Sequence, residues 1–146
     1  MILVSACLAG IPCRYDGKSK TVPEIRKLVQ NGKAVTVCPE LLGGLEIPRP
    51  PAEIRNGRIL TEKGRDVTQN YVNGSKKALE ICLMNHCDQA VLKEKSPACG
   101  AHVVYDGTFT GRITERHGIF ASMLLENHIP CFNEYEYKEK KNESVR

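Results

Sequence analysis

At 146 residues, 41% hydrophobic and 26% charged, the chain has the size and balance of one globular domain. No apolar run approaches the roughly 18 residues that span a bilayer, and the opening MILVSA lacks the basic flank of a signal peptide, so a cytoplasmic protein with no membrane partner is expected. Lys and Arg outnumber Asp and Glu by 21 to 17, an excess that fits an anionic or nucleotide-like partner without demanding one.

Residues 2–6 are apolar and β-rich, the pattern of a strand buried on both faces. A loop with Gly10, Pro12 and Gly17 follows. VPEIRKLVQNG predicts a short helix, with Pro23 in the first turn, Ile25, Leu28 and Val29 at helical spacing, and Gly32 as the stop. AVTVC predicts a second buried strand. Residues 39–53, with four prolines and two glycines, are expected to form neither a regular helix nor a central strand but an ordered loop; so long a loop in a small domain points to function. EIRNGRIL reads as a hairpin around Asn56-Gly57. DVTQNYVNGSKKALEICLMNHC is the longest helical pattern, with a stripe of Val67, Tyr71, Ser75, Ala78 and Cys82. QAVLKE predicts a third strand, VVYDGTFTGRI a hairpin or excursion turning at Asp106-Gly107, GIFASMLLENH a last helix and IPCFN a final strand. Residues 1–135 are therefore expected to form one α/β domain, and residues 136–146 a charged, flexible tail. Strands alternating with helices imply a Rossmann-like, mostly parallel sheet with flanking helices and long loops at the carboxyl edge of its strands.

In such sheets ligands collect outside the carboxyl ends of the strands, and this rule sorts the seven cysteines. Cys7, Cys38 and Cys99 each lie at or just beyond the end of a predicted parallel strand, beside glycine or proline. Cys82 sits on the apolar stripe of the long helix, Cys87 at its end and Cys131 at the start of a strand, so these read as core residues. Cys13 shares the first loop with Cys7 and is ambiguous, a spare thiol or a neighbour of the site. In a reducing compartment such thiols are metal-binding, catalytic or buried rather than disulfide-bonded. The sequence has no C-x-x-C pair, which argues against zinc-ribbon and thioredoxin readings. Three converging thiolates without a fourth suggest a metal centre with one open position, either a catalytic zinc or an iron–sulfur cubane with one iron lacking a cysteine. Composition does not choose between them.

Glu40, two residues beyond Cys38, can face the same cavity as a general base or proton donor, or make a loop salt bridge. Ser96 opens the Cys99 loop, where a hydroxyl also serves to bond the local backbone. Charged residues in or beside these loops, Arg14, Arg49, Glu53 and Lys93 among them, could flank a cavity for a planar polar ligand or a phosphate. His102, three residues past Cys99, is the one histidine to test as a ligand. No P-loop, dinucleotide fingerprint or nucleophile elbow is present.

The segments SACLAGIPCRYDGKSK, VCPELLGGLEIPRPPAEI, GRDVT, KEKSPACG and YDGTFTGR, in this order over about residues 1–133, resemble the thiouracil desulfidase family (domain of unknown function 523). The resemblance implies an oxygen-sensitive [4Fe-4S] cluster held by Cys7, Cys38 and Cys99, with Glu40 and Ser96 as catalytic residues and Cys13 outside the cluster. Ala98, Ala9 and Thr110 depart from the usual pattern without removing a ligand. The implied substrate is a thiolated pyrimidine, a 2- or 4-thiouracil-type base or nucleoside. Relatives that act on thiolated tRNA carry a further C-terminal domain not seen here, so tRNA is the second candidate partner. A non-catalytic zinc or sulfur-binding thiolate module is the alternative outside enzymes.

Overall fold

The computed structural model describes residues 1–137. Residues 138–146, most of the tail expected from residue 136, lie outside the described residues. In chain order the elements are β1 (Ile2–Ser5), a 3-10 turn (Ala6–Ala9), α1 (Pro23–Gln30), β2 (Ala34–Val37), α2 (Pro39–Leu42), β3 (Ala52–Arg55) and β4 (Arg58–Thr61). They continue with α3 (Thr68–Met84), β5 (Gln89–Leu92), β6 (Val103–Tyr105), β7 (Ile113–Glu115), α4 (Ile119–Glu126) and β8 (Cys131–Asn133).

β2, β1, β5 and β8 form a parallel sheet in that order. Side chains alternate across its pleat, so the apolar runs of β1 and β5 feed two cores. Leu3, Ala90 and Leu92 pack with Tyr71, Ala78 and Cys82 of α3 and with Phe120 and Leu124 of α4. Val4 and Val91 pack on the other face with Ile25 of α1 and with Leu8. The predicted hairpins form outside the sheet: β3 pairs with β4 around Asn56-Gly57, and β6 with β7. Chain order reverses between β1 and β5, which makes the crevice above their carboxyl ends the topological switch point.

One expectation is corrected. The segment 39–53 is not loop throughout: Pro39–Leu42 forms one helical turn, and Ala52 and Glu53 begin β3. Pro39 occupies the first helical position, where its missing N–H is not needed and its fixed φ suits a helix. The residue before a proline is driven to extended backbone, and Cys38 has φ −131° and ψ 98°. The same proline that rules out a long helix therefore starts a short one.

The turn is seated on α3 by close backbone approach. A Cβ on Gly74 would lie 1.8 Å from the Pro39 carbonyl oxygen, and one on Gly43 would lie 1.9 Å from the Asn70 carbonyl oxygen. The Asn70 side-chain amide donates to the Gly43 carbonyl at 2.9 Å. Gly74→Ala must push α2 off α3, because the atoms its Cβ would meet, Pro39 O and C and Gly43 N, are all backbone. We expect a loss of about 3 kcal/mol, the upper end of ordinary overpacking, read as a lowered midpoint in thermal or urea unfolding.

Candidate active site

The first cysteine loop begins where β1 ends. Cys7 is the second residue of the 3-10 turn, which closes on Gly10 at φ 99°, a left-handed conformation suited to glycine. Amides of Lys20 and Val22 donate to the carbonyls of Cys7 and Leu8 at 2.9 and 2.8 Å, folding the rest of the loop back. That fold carries Cys13 inward, where it is 2% exposed. Cys38 follows β2 directly, and its Sγ lies 4.0 Å from the Cys13 carbonyl oxygen as a thiol donor.

The third loop leaves β5 and is held by its own serine. The Ser96 hydroxyl oxygen accepts from the amides of Ala98 and Cys99, both at 3.1 Å, which is the local backbone role expected of such a hydroxyl. A hydroxyl has two acceptor lone pairs and one proton. With both lone pairs engaged, the Ser96 proton is left to donate. Amides of Ile119 and Phe120 at the start of α4 donate to the carbonyls of Pro97 and Ala98 at 2.8 and 2.9 Å, satisfying helix-end donors. At the base of the crevice the Lys93 amide donates to Ser5 Oγ at 3.0 Å, tying β5 to β1.

These loops enclose a cavity of about 390 Å3 at the carboxyl edge of the sheet, a volume typical of small-molecule sites. Cys7, Cys38 and Cys99 line it together with Glu40 and Ser96. Cys13, left ambiguous by the sequence, lines it too. His102 does not: it is exposed and paired with Glu136, a residue expected to begin the tail but held by two bonds with Asn133. Cys82, Cys87 and Cys131 are buried near the opposite edge, and burial pushes the thiols of Cys82 and Cys131 up to about 12.

Glu40 is the centre of the polar side of the cavity. Its Oε1 accepts from the Tyr71 hydroxyl at 2.7 Å and from Arg49 Nε at 3.2 Å. Arg49 also donates through its other nitrogens to the carbonyls of Cys13 at 2.8 Å and Glu46 at 3.1 Å, so one guanidinium joins the carboxylate to the first cysteine loop. Both side-chain bonds to Glu40 end on Oε1, which leaves Oε2 as the oxygen available to a water. The sequence places Tyr71 on the apolar stripe of α3 and so gives it to the core rather than to the site. The available signal was its hydroxyl, since a buried tyrosine needs a polar partner. Burial, then the neighbouring Glu40 charge and its hydrogen bond, hold that hydroxyl protonated well beyond its ordinary range.

Cys13, Cys38 and Cys99 resist ionising. A hydrogen bond from Cys38 lowers Cys13, but a bond to Cys7, burial and the Cys7 charge outweigh it and bring Cys13 up to about 11. Cys38 is raised by its bond to Cys13 and by burial. Burial raises Cys99; Ser5 opposes this, while the charges of Cys38, Glu40 and Cys13 add to it. A cationic centre inverts this balance, because thiols that coordinate a metal lose their protons. The donor set thus fits a positively charged inorganic group better than it fits an empty cluster of thiolates. Among the described residues, no three His, Cys, Asp or Glu side chains are spaced to close on one metal ion.

Comparison with known proteins agrees with this chemistry. The family model described as 2-thiouracil desulfurase matches residues 2–136. The uncharacterized protein YbbK of Bacillus subtilis (strain 168) is 42% identical over 146 aligned residues, 93% of this chain and 97% of that one. Among solved structures, the [4Fe-4S]-dependent thiouracil desulfidase TudS is similar with a TM-score of 0.90 and 40% identity, covering 99% of this chain and 98% of that chain.

Proposed function

The chain belongs to the 2-thiouracil desulfurase family, and from that premise we propose that it removes sulfur from a thiolated pyrimidine base or nucleoside using a [4Fe-4S] cluster held by Cys7, Cys38 and Cys99. The observation that carries this reading is the shared lining of one cavity by those three cysteines, Glu40 and Ser96. When bound, the cluster supplies a soft Lewis-acidic iron with an open position suited to the exocyclic sulfur of the substrate.

The remaining steps fall to the chain itself. Tyr71 and Arg49 fix Glu40 through Oε1, and Oε2 takes a proton from water as the water oxygen attacks the ring carbon. Ser96, with both lone pairs occupied by backbone amides, donates a hydrogen bond to the substrate as charge develops, and the proton held by Glu40 passes on to the departing sulfur. Water supplies the oxygen, sulfur leaves as sulfide and no electrons are exchanged. A single zinc is the weaker reading, since among the described residues no three His, Cys, Asp or Glu side chains are grouped to close on one ion.

The test is anaerobic reconstitution with iron and sulfide, followed by turnover of 2-thiouracil, 4-thiouracil, their nucleosides and thiolated tRNA. We expect a brown protein with iron and acid-labile sulfide in equal amounts that releases sulfide from free bases or nucleosides. A colourless protein retaining one zinc and no desulfidase activity would overturn the reading. Turnover confined to thiolated tRNA would replace the proposed substrate.

A further inference from the structure

The loop between β6 and β7 is held by an unusual anchor. Glu53, on β3, is 8% exposed and makes no ion pair among the described residues. Its Oε1 accepts from the backbone amides of Gly107 and Phe109 at 3.0 and 3.2 Å. A buried carboxylate without a counter-charge is expensive unless it is hydrogen-bonded, and here its bonds go to that loop. The loop also lies tight on β3: a Cβ on Gly107 would be 2.6 Å from the Ile54 carbonyl oxygen. Within it, Asp106 accepts from the Thr108 amide at 3.0 Å, and the Thr108 and Thr110 hydroxyls bond at 2.6 Å.

This bracing holds Phe109 at φ 58°. Left-handed backbone is disfavoured for a bulky side chain, and such strain gathers at functional sites where surrounding structure enforces it. Phe109 is half-buried and lines the same cavity as the cysteines. Its ring has no polar group and can offer a ligand only its face or edge. Tyr15, also at the cavity, is 41% exposed and already has the Arg14 guanidinium over its ring at 5.8 Å from the centroid.

We propose that Phe109 stacks on the planar ring of the substrate, and that Glu53 is a positioning residue which holds it at the cavity wall. The inference rests on the desulfidase reading and deepens it: the ring face selects planar heteroaromatic bases, while Glu40 and Ser96 serve the carbon–sulfur bond. Glu53 acts through the loop and does not itself touch the reacting atoms.

The experiment uses the reconstituted enzyme, with 2-thiouracil as substrate and uracil as a competing ligand. Phe109→Ala is expected to raise KM and weaken uracil inhibition by roughly tenfold, the scale of one base–aromatic stack. Iron and sulfide content should be unchanged and kcat within about twofold, since the stack serves binding more than chemistry. Phe109→Trp should retain both affinities. Glu53→Ala should give the same KM effect and faster exchange of the Gly107 and Phe109 amides, and Glu53→Gln, which keeps an acceptor oxygen, should restore both. Phe109→Ala enzyme with a full cluster and unchanged KM and uracil inhibition overturns the stacking assignment alone. Wild-type protein that desulfurates neither the thiouracils nor their nucleosides and does not bind uracil sinks the desulfidase reading and this inference with it.

Discussion

Glu40→Gln is expected to keep the cluster and the fold but slow desulfuration by roughly two to four orders of magnitude, the usual contribution of a positioned acid–base group. The amide is the informative replacement. Its oxygen can still accept from Tyr71 and Arg49, so the two groups that fix residue 40 keep their partner, while the base is gone. Glu40→Ala would confuse the result: the Arg49 side chain is 6% exposed, and stripping the partner from a buried charge destabilises by about 3–5 kcal/mol. The measurement is single-turnover release of sulfide, beside iron content and the visible spectrum. Near wild-type turnover in the loaded Glu40→Gln enzyme would remove Glu40 as the base.

Cys99→Ala should abolish cluster binding, with iron and sulfide falling to background and turnover with them. Cys99 is buried at the end of a loop held by Ser96, Pro97 and the start of α4, so no neighbouring thiol can move into its place without dismantling that loop. The apo variant should still fold, because replacing one thiol by a methyl group leaves only a small cavity. Cys13→Ala is the necessary companion. Cys13 lines the same cavity, yet the family resemblance leaves it outside the ligand set, so this variant should load iron and sulfide as the wild type does. Loss of the cluster from Cys13→Ala, or its retention by Cys99→Ala, would show that the ligand triad is wrongly drawn.

The shared placement of Cys7, Cys38 and Cys99 was legible because it follows from strand direction. Three apolar runs that each end in cysteine, in a parallel sheet, deliver their thiols to one edge, and the structure brings Cys7, Cys38 and Cys99 to one cavity. Cys131 and Cys82 were legible by the same logic in reverse, at a strand start and on a helix stripe. Cys13 was not, because its place depends on how residues 10–22 fold back on the 3-10 turn, through amide bonds that no periodicity encodes. Arg49 appeared only as one of several loop charges; its reach from Glu40 to the Cys13 carbonyl is a contact across 36 positions of chain.

By itself, the sequence determined the alternating α/β order, the parallel sheet, the separation of carboxyl-edge cysteines from core cysteines and the family motifs, because these depend on local patterns of apolar residues, glycine and proline. Only the tertiary structure decided that Tyr71 and Arg49 share one oxygen of Glu40, that the helical turn bearing that glutamate seats its Pro39 carbonyl against Gly74, and that Glu53 braces Phe109 in left-handed backbone. Those arrangements join segments distant in the chain, and the hydrogen bonds and close contacts that hold them exist only once the sheet has brought the loops together.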